Sequence, residues 1–394
     1  MPALLLFSMA PSPRCWPATT PVLVLVLALA GIRGADATCT SALSCSLNGE
    51  CTGGSCDCAA GWHGEECELL SLAPAPPGGA YGFSPNSSSW GGHVIKWKGE
   101  YNMFVSELWG GCGITSWRQN SHVVRATAKT PLGPFAYVDT ALPPEATCNH
   151  VMVNGSRIVL YHQFASGAGK GKLTQCEADW QPPVNETWTP VRPHKVHYSD
   201  TGPAGPWLAG GGSMPEGLIC NNPSPLLLPN GSTAVFCHGP GIRLAVADAH
   251  GVWSNATFIQ EPMGGPVAHT VWEDPFAWLD SKGYWHMLSH VYPTNTSNWL
   301  QYADVVAGHG YSVDGVDWHW HPTPPYTADV TDTSGQTLHY ATRERPFLLL
   351  SDDGKKAPIA LFTAVTMPGR PKQNKSAGGD YSFTHAQPVA THAA

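Results

Sequence analysis

The strongest constraint on this chain is a strand–turn–strand unit that returns five times. Its copies occupy Gly92–Val105, Asn149–Tyr161, Asn222–His238, Glu273–Leu288 and Arg345–Phe362. Each has a short apolar strand, a turn carrying Gly or Asn-Gly, and a second strand of apolar and aromatic residues. The copies start roughly 50 to 70 residues apart, a spacing that belongs to repeat architectures. A lone hairpin cannot bury both faces and needs a neighbour on each side. A closed ring of radial blades supplies both neighbours and protects the sheet edges. The predicted class is therefore all-β, a five-bladed β-propeller over residues 81–368. A β-sandwich is the alternative, but it calls for a denser, more even succession of strands without the same opening motif each time. Composition points the same way: 42 Gly, 36 Pro and only 13 % charged residues favour turn-rich β structure over a helical bundle.

The copies also share a polar start. His93, Asn149 with His150, Asn222, Glu273 with Asp274, and Glu344 with Arg345 stand at or beside the first strand of their copies. Innermost strands line the channel of a propeller, so their starts converge on one face. Residues far apart in sequence are thereby expected in one polar pocket.

A separate small module precedes the repeats. Cys39, Cys45, Cys51, Cys56, Cys58 and Cys67 lie within 29 residues, too short a segment to bury an adequate core without covalent staples. Six cysteines allow fifteen pairings. A zinc cluster is the other reading, but no histidine accompanies them at ligand spacing. The spacing, with Asn48-Gly49-Glu50-Cys51 and the Cys58-Ala59-Ala60-Gly61-Trp62 to Cys67 ending, resembles the EGF-like family. That resemblance implies an EGF-like module over 38–68 with pairs Cys39–Cys51, Cys45–Cys56 and Cys58–Cys67. It also implies a contact surface for an extracellular protein partner. Only Asp36 is acidic just ahead of the first cysteine, so no calcium is expected. Five further cysteines, Cys112, Cys148, Cys176, Cys220 and Cys237, call for two staples and one thiol that is free or paired between molecules.

Residues 1–37 read as a signal peptide. An apolar run from Pro21 to Leu29 follows Arg14, and Ala35-Asp36-Ala37 fits a small-x-small cleavage site. The expected protein is secreted; tethering by an uncleaved signal anchor is the alternative. Twelve cysteines suit an oxidising compartment. Sequons at Asn86, Asn154, Asn185, Asn230, Asn255, Asn295 and Asn374 make it a candidate glycoprotein. Residues 69–80 read as an extended Pro-rich linker, and 369–394 as a disordered tail. A net charge of -8 with scattered basic residues excludes a nucleic-acid surface.

Asn222-Pro223-Ser224-Pro225, Trp272-Glu273-Asp274-Pro275-Phe276 and Glu344-Arg345-Pro346 together resemble the five-bladed propeller superfamily of glycoside hydrolases, which includes arabinanase/xylosidase-like and invertase-like groups. Lys129-Thr130-Pro131-Leu132-Gly133-Pro134-Phe135 is similar to that superfamily's inter-blade phrase. The resemblance implies a glycan-active enzyme with carbohydrate as its partner; the residues themselves give no reason to expect a cofactor or metal. Hydrolysis in its usual form needs two carboxyl groups facing each other across the scissile bond. Asp274 matches the superfamily's middle aspartate, which orients substrate or tunes the acid. Glu273, Glu344, Glu216 and Glu107 are the other catalytic candidates. For Asp274 the plain alternative is an Asp-Pro turn, for Glu344 a structural ion pair, and for Glu216 a solvated loop. An adjacent pair such as Glu273 and Asp274 serves one pocket only where the strand bends. In the superfamily the first blade opens with an aspartate, whereas here the stretch reads Trp90-Gly91-Gly92-His93. A propeller that binds glycans or matrix without cleaving is therefore the competing function.

Candidate substrate contacts are His93, Trp109, His150, Asn222, His269, Trp272, His290, Arg343 and Arg345. Imidazoles suit sugar hydroxyls because each offers a donor and an acceptor. Tryptophans, sixteen in all, offer flat apolar faces to sugar rings. Trp318-His319-Trp320-His321 lacks an accompanying carboxylate or cysteine and is not read as a metal site.

Overall fold

The computed structural model describes residues 39–391 apart from 84–87, 109–111, 118–120, 143–145, 165–194, 211–213, 215–219, 240, 249, 261–269, 294–305 and 368–380. The presumed signal peptide lies outside the described residues. Among them, no helix is long and apolar enough to cross a membrane.

The EGF-like module is two small hairpins, β1 (Gly49–Thr52) with β2 (Ser55–Cys58) and β3 (Trp62–His63) with β4 (Leu69–Leu70). Its disulfides are Cys39–Cys51, Cys45–Cys56 and Cys58–Cys67, the pairing implied by the family resemblance.

Five antiparallel sheets follow. Blade 1 is β5 (Ser88–Trp97), β6 (Glu100–Leu108), β7 (Ser121–Ala128) and β8 (Ala136–Leu142). Blade 2 is β9 (Ala146–Asn154), β10 (Arg157–Phe164), β11 (Lys195–Ser199) and β12 (Leu208–Ala209). Blade 3 is β13 (Asn221–Leu227), β14 (Thr233–Gly239), β15 (Gly241–Ala247) and β16 (Thr257–Gln260). Blade 4 is β17 (Thr270–Leu279), β18 (Trp285–Pro293), β19 (Ala307–Ser312) and β20 (Trp318–Trp320). A hairpin of β21 (Asp329–Thr331) and β22 (Thr337–His339) precedes blade 5, which is β23 (Thr342–Leu350), β24 (Pro358–Thr366) and β25 (Ser382–Pro388). Each inner strand neighbours the next, β5 to β9 to β13 to β17 to β23 and back to β5, so the ring is closed. All five expected hairpins are the inner pairs of blades.

Three expectations change. The stretch read as a linker is tied to the ring. Leu72 bridges Val389, Tyr81 bridges Thr384, and Ala75 bridges Asp332. The residues after the EGF-like module thus lie along the open side of β25 and cover the edge of the three-stranded last blade. The stretch read as a disordered tail contains β25, which pairs with β24 along its whole length. Its Ser382, Phe383, Thr384 and Ala386 are buried, so alternating polar residues there face packed neighbours and not water. The Lys129–Phe135 phrase lies between β7 and β8, inside blade 1. A second copy, Thr201-Gly202-Pro203-Ala204-Gly205-Pro206-Trp207, lies between β11 and β12 of blade 2. In both a threonine hydroxyl donates to the glycine carbonyl, Thr130 to Gly133 and Thr201 to Gly205; the phrase is a turn within a blade.

The EGF-like module docks on blades 4 and 5. Trp62, 5 % exposed, packs its ring 5.1 Å from that of His309. Its core merges with Trp278, Tyr326 and Leu348 of the propeller. Glu66 accepts from His321 at 2.8 Å, and Lys282 pairs with Glu50. In addition, Cys220 is bonded to Cys237, and Cys112 is disulfide-bonded.

Candidate functional site

One irregularity is repeated in all five inner strands and builds the site. Where β13 pairs with β14, the two residues between Asn221 and Ser224 lie opposite a single residue of the partner, Cys237. The same extra residue occurs at Glu273–Phe276 in β17, Glu344–Phe347 in β23, Trp90–Gly92 in β5 and Thr147–His150 in β9. These are β-bulges, which bend a strand and re-aim its side chains. The bulged residue is left-handed in four of them: Gly91 (φ 65°), Asn222 (47°), Asp274 (52°) and Arg345 (52°). Proline follows in three, at Pro223, Pro275 and Pro346. A bulge strips one backbone N–H of its ladder partner, and proline has none to strand.

The bend resolves the problem of the adjacent acids. Glu273 and Asp274 would point to opposite faces of a straight strand, but here both reach one cluster. Glu273, Asp274, His290 and Glu344 each place a polar atom within 4.8 Å of the others. His290 Nδ1 is 3.3 Å from Glu273 Oε1 and 3.8 Å from Glu344 Oε2. His238 Nδ1 stands 3.8 Å from Glu273 Oε2. Arg345 donates from Nη1 to Asp274 Oδ1 at 3.1 Å, both side chains being buried. Gly91 makes this reach sterically open, because a Cβ there would sit 2.7 Å from Arg345 Nε.

Electrostatics set the four groups apart. Burial, with Glu273 and Asp274 nearby, pushes the Glu344 carboxyl up to about 7 in spite of His290. Burial opposes a charge on His290, but Glu344 and Glu273 outweigh it and raise the imidazole to about 9. Burial raises Asp274 against the pull of Arg345. For Glu273, the His290 hydrogen bond and His238 outweigh burial and lower it. At neutral pH the cluster thus pairs a protonated His290 with ionised Glu273, beside a Glu344 poised to hold or release a proton.

This set could also hold a divalent cation through three carboxylates and one imidazole. The ion would have to displace the proton of His290 and compete with Arg345 for Asp274.

All five blades contribute to the small polar recess at the centre: His93, His150, Asn222, Asp274 and Arg345, one from each. The recess holds about 10 Å³, room for a water-sized group. Its floor is closed by rings. His93 stacks on Phe347 at 4.6 Å, His150 on Phe276 at 5.8 Å, and the two imidazoles meet edge to face at 4.0 Å. Burial drives His93 well below the usual imidazole range and His150 to about 3, with Arg345 adding to both. Both are neutral and can exchange hydrogen bonds with hydroxyls.

The remaining candidates fall elsewhere. Trp272 is 1 % exposed, packed against Trp320 at 4.6 Å and against Gly308, and offers no face to a substrate. Arg343 is fully buried and donates to the Thr327 carbonyl and to Gln387 Oε1, both at 2.8 Å, so it braces blade 5 and does not contact substrate. His290 lies within the carboxylate cluster itself, where it bridges two acids. Glu107 sits on β6, accepts from the Tyr81 hydroxyl and approaches His122 at 3.6 Å; it is not part of the cluster. Glu216, Trp109 and His269 lie outside the described residues, as do Asn86, Asn185, Asn295 and Asn374. Asn154, Asn230 and Asn255 are exposed. His238 was missed, although its signal was present: Asn221 pairs with His238 as Glu273 pairs with His290, so the two histidines are repeat equivalents.

Residues 43–69 match the Teneurin-like EGF domain family. No curated protein sequence matches the chain. The structure is similar to a thermostable family-43 glycoside hydrolase, with 11 % identity, 80 % of this chain and 92 % of that one covered, and TM-score 0.52. It is also similar to the α-L-arabinofuranosidase PaAbf62A of Podospora anserina, solved with cellotriose, with 8 % identity, 83 % and 100 % coverage, and TM-score 0.54. At these identities the likeness is one of fold: a five-bladed propeller of the kind found in glycoside hydrolases, here preceded by a disulfide-bonded EGF-like module.

Proposed function

We propose that the protein is a secreted glycan-active enzyme that hydrolyses glycosidic bonds at the central recess, with Glu344 as proton donor. The observation that carries this reading is a buried carboxyl raised to about 7 beside two further acids. A general acid works best with its pKa near the operating pH. Asp274, held by Arg345, orients substrate, and burial with the nearby charges of Glu273 and Asp274 keeps Glu344 ready to give a proton. His290 and Glu273 take part in returning the proton. His93, His150 and Asn222 offer partners for sugar hydroxyls. The carbohydrate-directed fold of its structural relatives and an EGF-like module, typical of extracellular proteins, support the substrate class and the location.

Glu273, Asp274 and Glu344 are grouped on one cluster, while hydrolysis in its usual form needs a second carboxyl facing the acid across the bond; Glu107 and Glu216 are the candidates for that place outside the cluster. A non-catalytic, glycan-binding propeller is the second reading. It is favoured by His93, which stands where the resemblance calls for an acid.

A purified-protein screen against diverse polysaccharides and oligosaccharides decides between them. Turnover that falls about 100-fold or more in Glu344→Gln, and again in Glu107→Gln or Glu216→Gln, supports the enzyme. Saturable binding without products, unchanged in Glu344→Gln, establishes the second reading and overturns the first.

A further inference from the structure

Three histidines line the part of blade 4 on which the EGF-like module docks. His286 stands on β18, His309 on β19 and His321 just beyond β20. All three are buried, and His309 is 0 % exposed. They lie far from the recess: Asp280, beside His286, is six residues beyond Asp274, about 20 Å along an extended strand. The chemistry proposed for Glu344 uses none of them.

The histidines form a row that ends at the module. His286 Nε2 faces Asp280 Oδ2 at 3.8 Å, and its Nδ1 is 3.2 Å from His309 Nε2. With the Nε2 proton of His286 turned to Asp280, His309 donates to His286, and His309 Nδ1 is left as a lone pair without a partner. Rings surround it: Trp62 of the module at 5.1 Å, Tyr311 at 5.3 Å, the parallel His286 at 5.4 Å and Trp278 at 6.2 Å. His286 also borders a cavity of about 260 Å³, enclosed by Leu47, Asn48 and Trp62 of the module and the inner hairpins of blades 4 and 5.

Little in these surroundings could balance a charge on His309. Among the described residues no carboxylate lies within ion-pair distance of it, and only Asp280 lies within that distance of His286. Asp280 already accepts from the backbone N–H groups of Lys282 and Tyr284. On the module, Glu66 is engaged by His321 and Glu50 by Lys282. Lys355 and Lys356, on the cavity wall, are cations themselves. Burial raises the Tyr311 hydroxyl, which stays neutral. Burial, with His286 and His321 nearby, holds His309 well below the usual imidazole range, and burial lowers His286 in spite of Asp280.

We propose that the EGF-like module is released by acid: it stays docked while His309 is neutral, and a proton taken up there drives Trp62 off blade 4. Removing the Trp62 ring opens one side of His309 to water and returns the imidazole toward its ordinary value of 6.5. Below that pH the released form binds more protons than the docked form. Docking is therefore fully present above pH 6.5 and is lost as pH falls. From pH 7 to 5 one such histidine shifts the equilibrium about 25-fold toward release. The Glu66–His321 contact opposes this, because it becomes an ion pair when the imidazole is protonated, but a pair with an exposed carboxylate returns at most about fivefold. The net shift is about fivefold or more.

Hydrogen exchange on the full chain, corrected for the intrinsic rate at each pH, tests the proposal. The readout is the peptide 62–72, whose Leu70 N–H donates across the junction to the Pro325 carbonyl at 3.0 Å. Its protection should fall at least fivefold from pH 7 to 5, while β6 and β14 in blades 1 and 3 change less than twofold. His309→Phe keeps a ring against Trp62 and cannot take a proton, so its protection should not fall. His309→Gln can still donate to His286 and should behave in the same way, which covers the case that the phenylalanine variant fails to fold. Wild-type protection that is level or rises toward pH 5, a fall shared equally by β6 and β14, or an undiminished fall in a folded variant would overturn the proposal.

Discussion

His290 is the cation that holds two buried acids together, and its removal should reveal itself through pH. Its imidazole is raised from 6.5 to about 9 in the folded protein. Between those values the native state keeps a proton that the unfolded chain has released. Stability then falls with rising pH, because its slope follows protons bound unfolded minus protons bound native. The contribution is fully present below pH 6.5 and is lost as pH rises to 9. A displacement of that size corresponds to about 3 kcal/mol. In His290→Gln this contribution disappears, and Glu344 and Glu273, which lose the pull of His290 on their carboxyls, take up protons more readily in the folded variant and offset part of the change; His93, His150 and His385 are common to both proteins. The stability difference between wild type and variant, from urea unfolding at half-unit steps, should therefore shrink between pH 6 and 9.5, by about 3 kcal/mol at most. Any packing loss from the substitution remains as a constant offset. A difference that stays flat, or grows, across that range would refute the claim that His290 is charged between Glu273 and Glu344.

Three further outcomes follow from single contacts. Arg345→Ala removes the guanidinium from the buried Asp274 carboxyl, and should cost about 3–5 kcal/mol in urea unfolding; Asp274→Asn added to it should restore part of that loss, and no recovery would exclude stranded charge as the cause. Trp62→Ala should cost about 3–5 kcal/mol and expose residues 69–81 to limited proteolysis, because the 5 % exposed indole anchors the EGF-like module; cleavage unchanged from wild type would mean that docking rests on other contacts. Gly308→Ala places a methyl 2.1 Å from the Trp272 ring, and should lower stability by about 1–3 kcal/mol or more, read as a drop in thermal midpoint; an unchanged midpoint would contradict the tight packing inside blade 4.

Much of this protein could be read along the chain because its signals are local. The five hairpins, the cysteine spacing and the Asn222-Pro223, Asp274-Pro275 and Arg345-Pro346 dipeptides each lie within a few residues. Turn chemistry and disulfide arithmetic act over those distances. The strap formed by 69–81 was not legible, since proline-rich composition describes an extended segment equally well whether it hangs free or lies on β25. The same holds for β25 itself, whose Ser382, Thr384 and His385 look solvated until neighbouring elements bury them. Trp272 and Arg343 carried the residue types of a sugar site, yet their surroundings turned them into packing and bracing groups.

From the chain alone came the blade count, the stapled module and the polar residue that each inner strand would bring to the centre, because periodicity and covalent chemistry need no partner. Only the tertiary structure decided that Glu273 and Asp274 share a pocket, that His290 bridges acids, and that the EGF-like module encloses a cavity with blades 4 and 5. Those outcomes depend on bends of single residues and on burial, which change a side chain's direction and its charge state, and neither is written in the order of the residues.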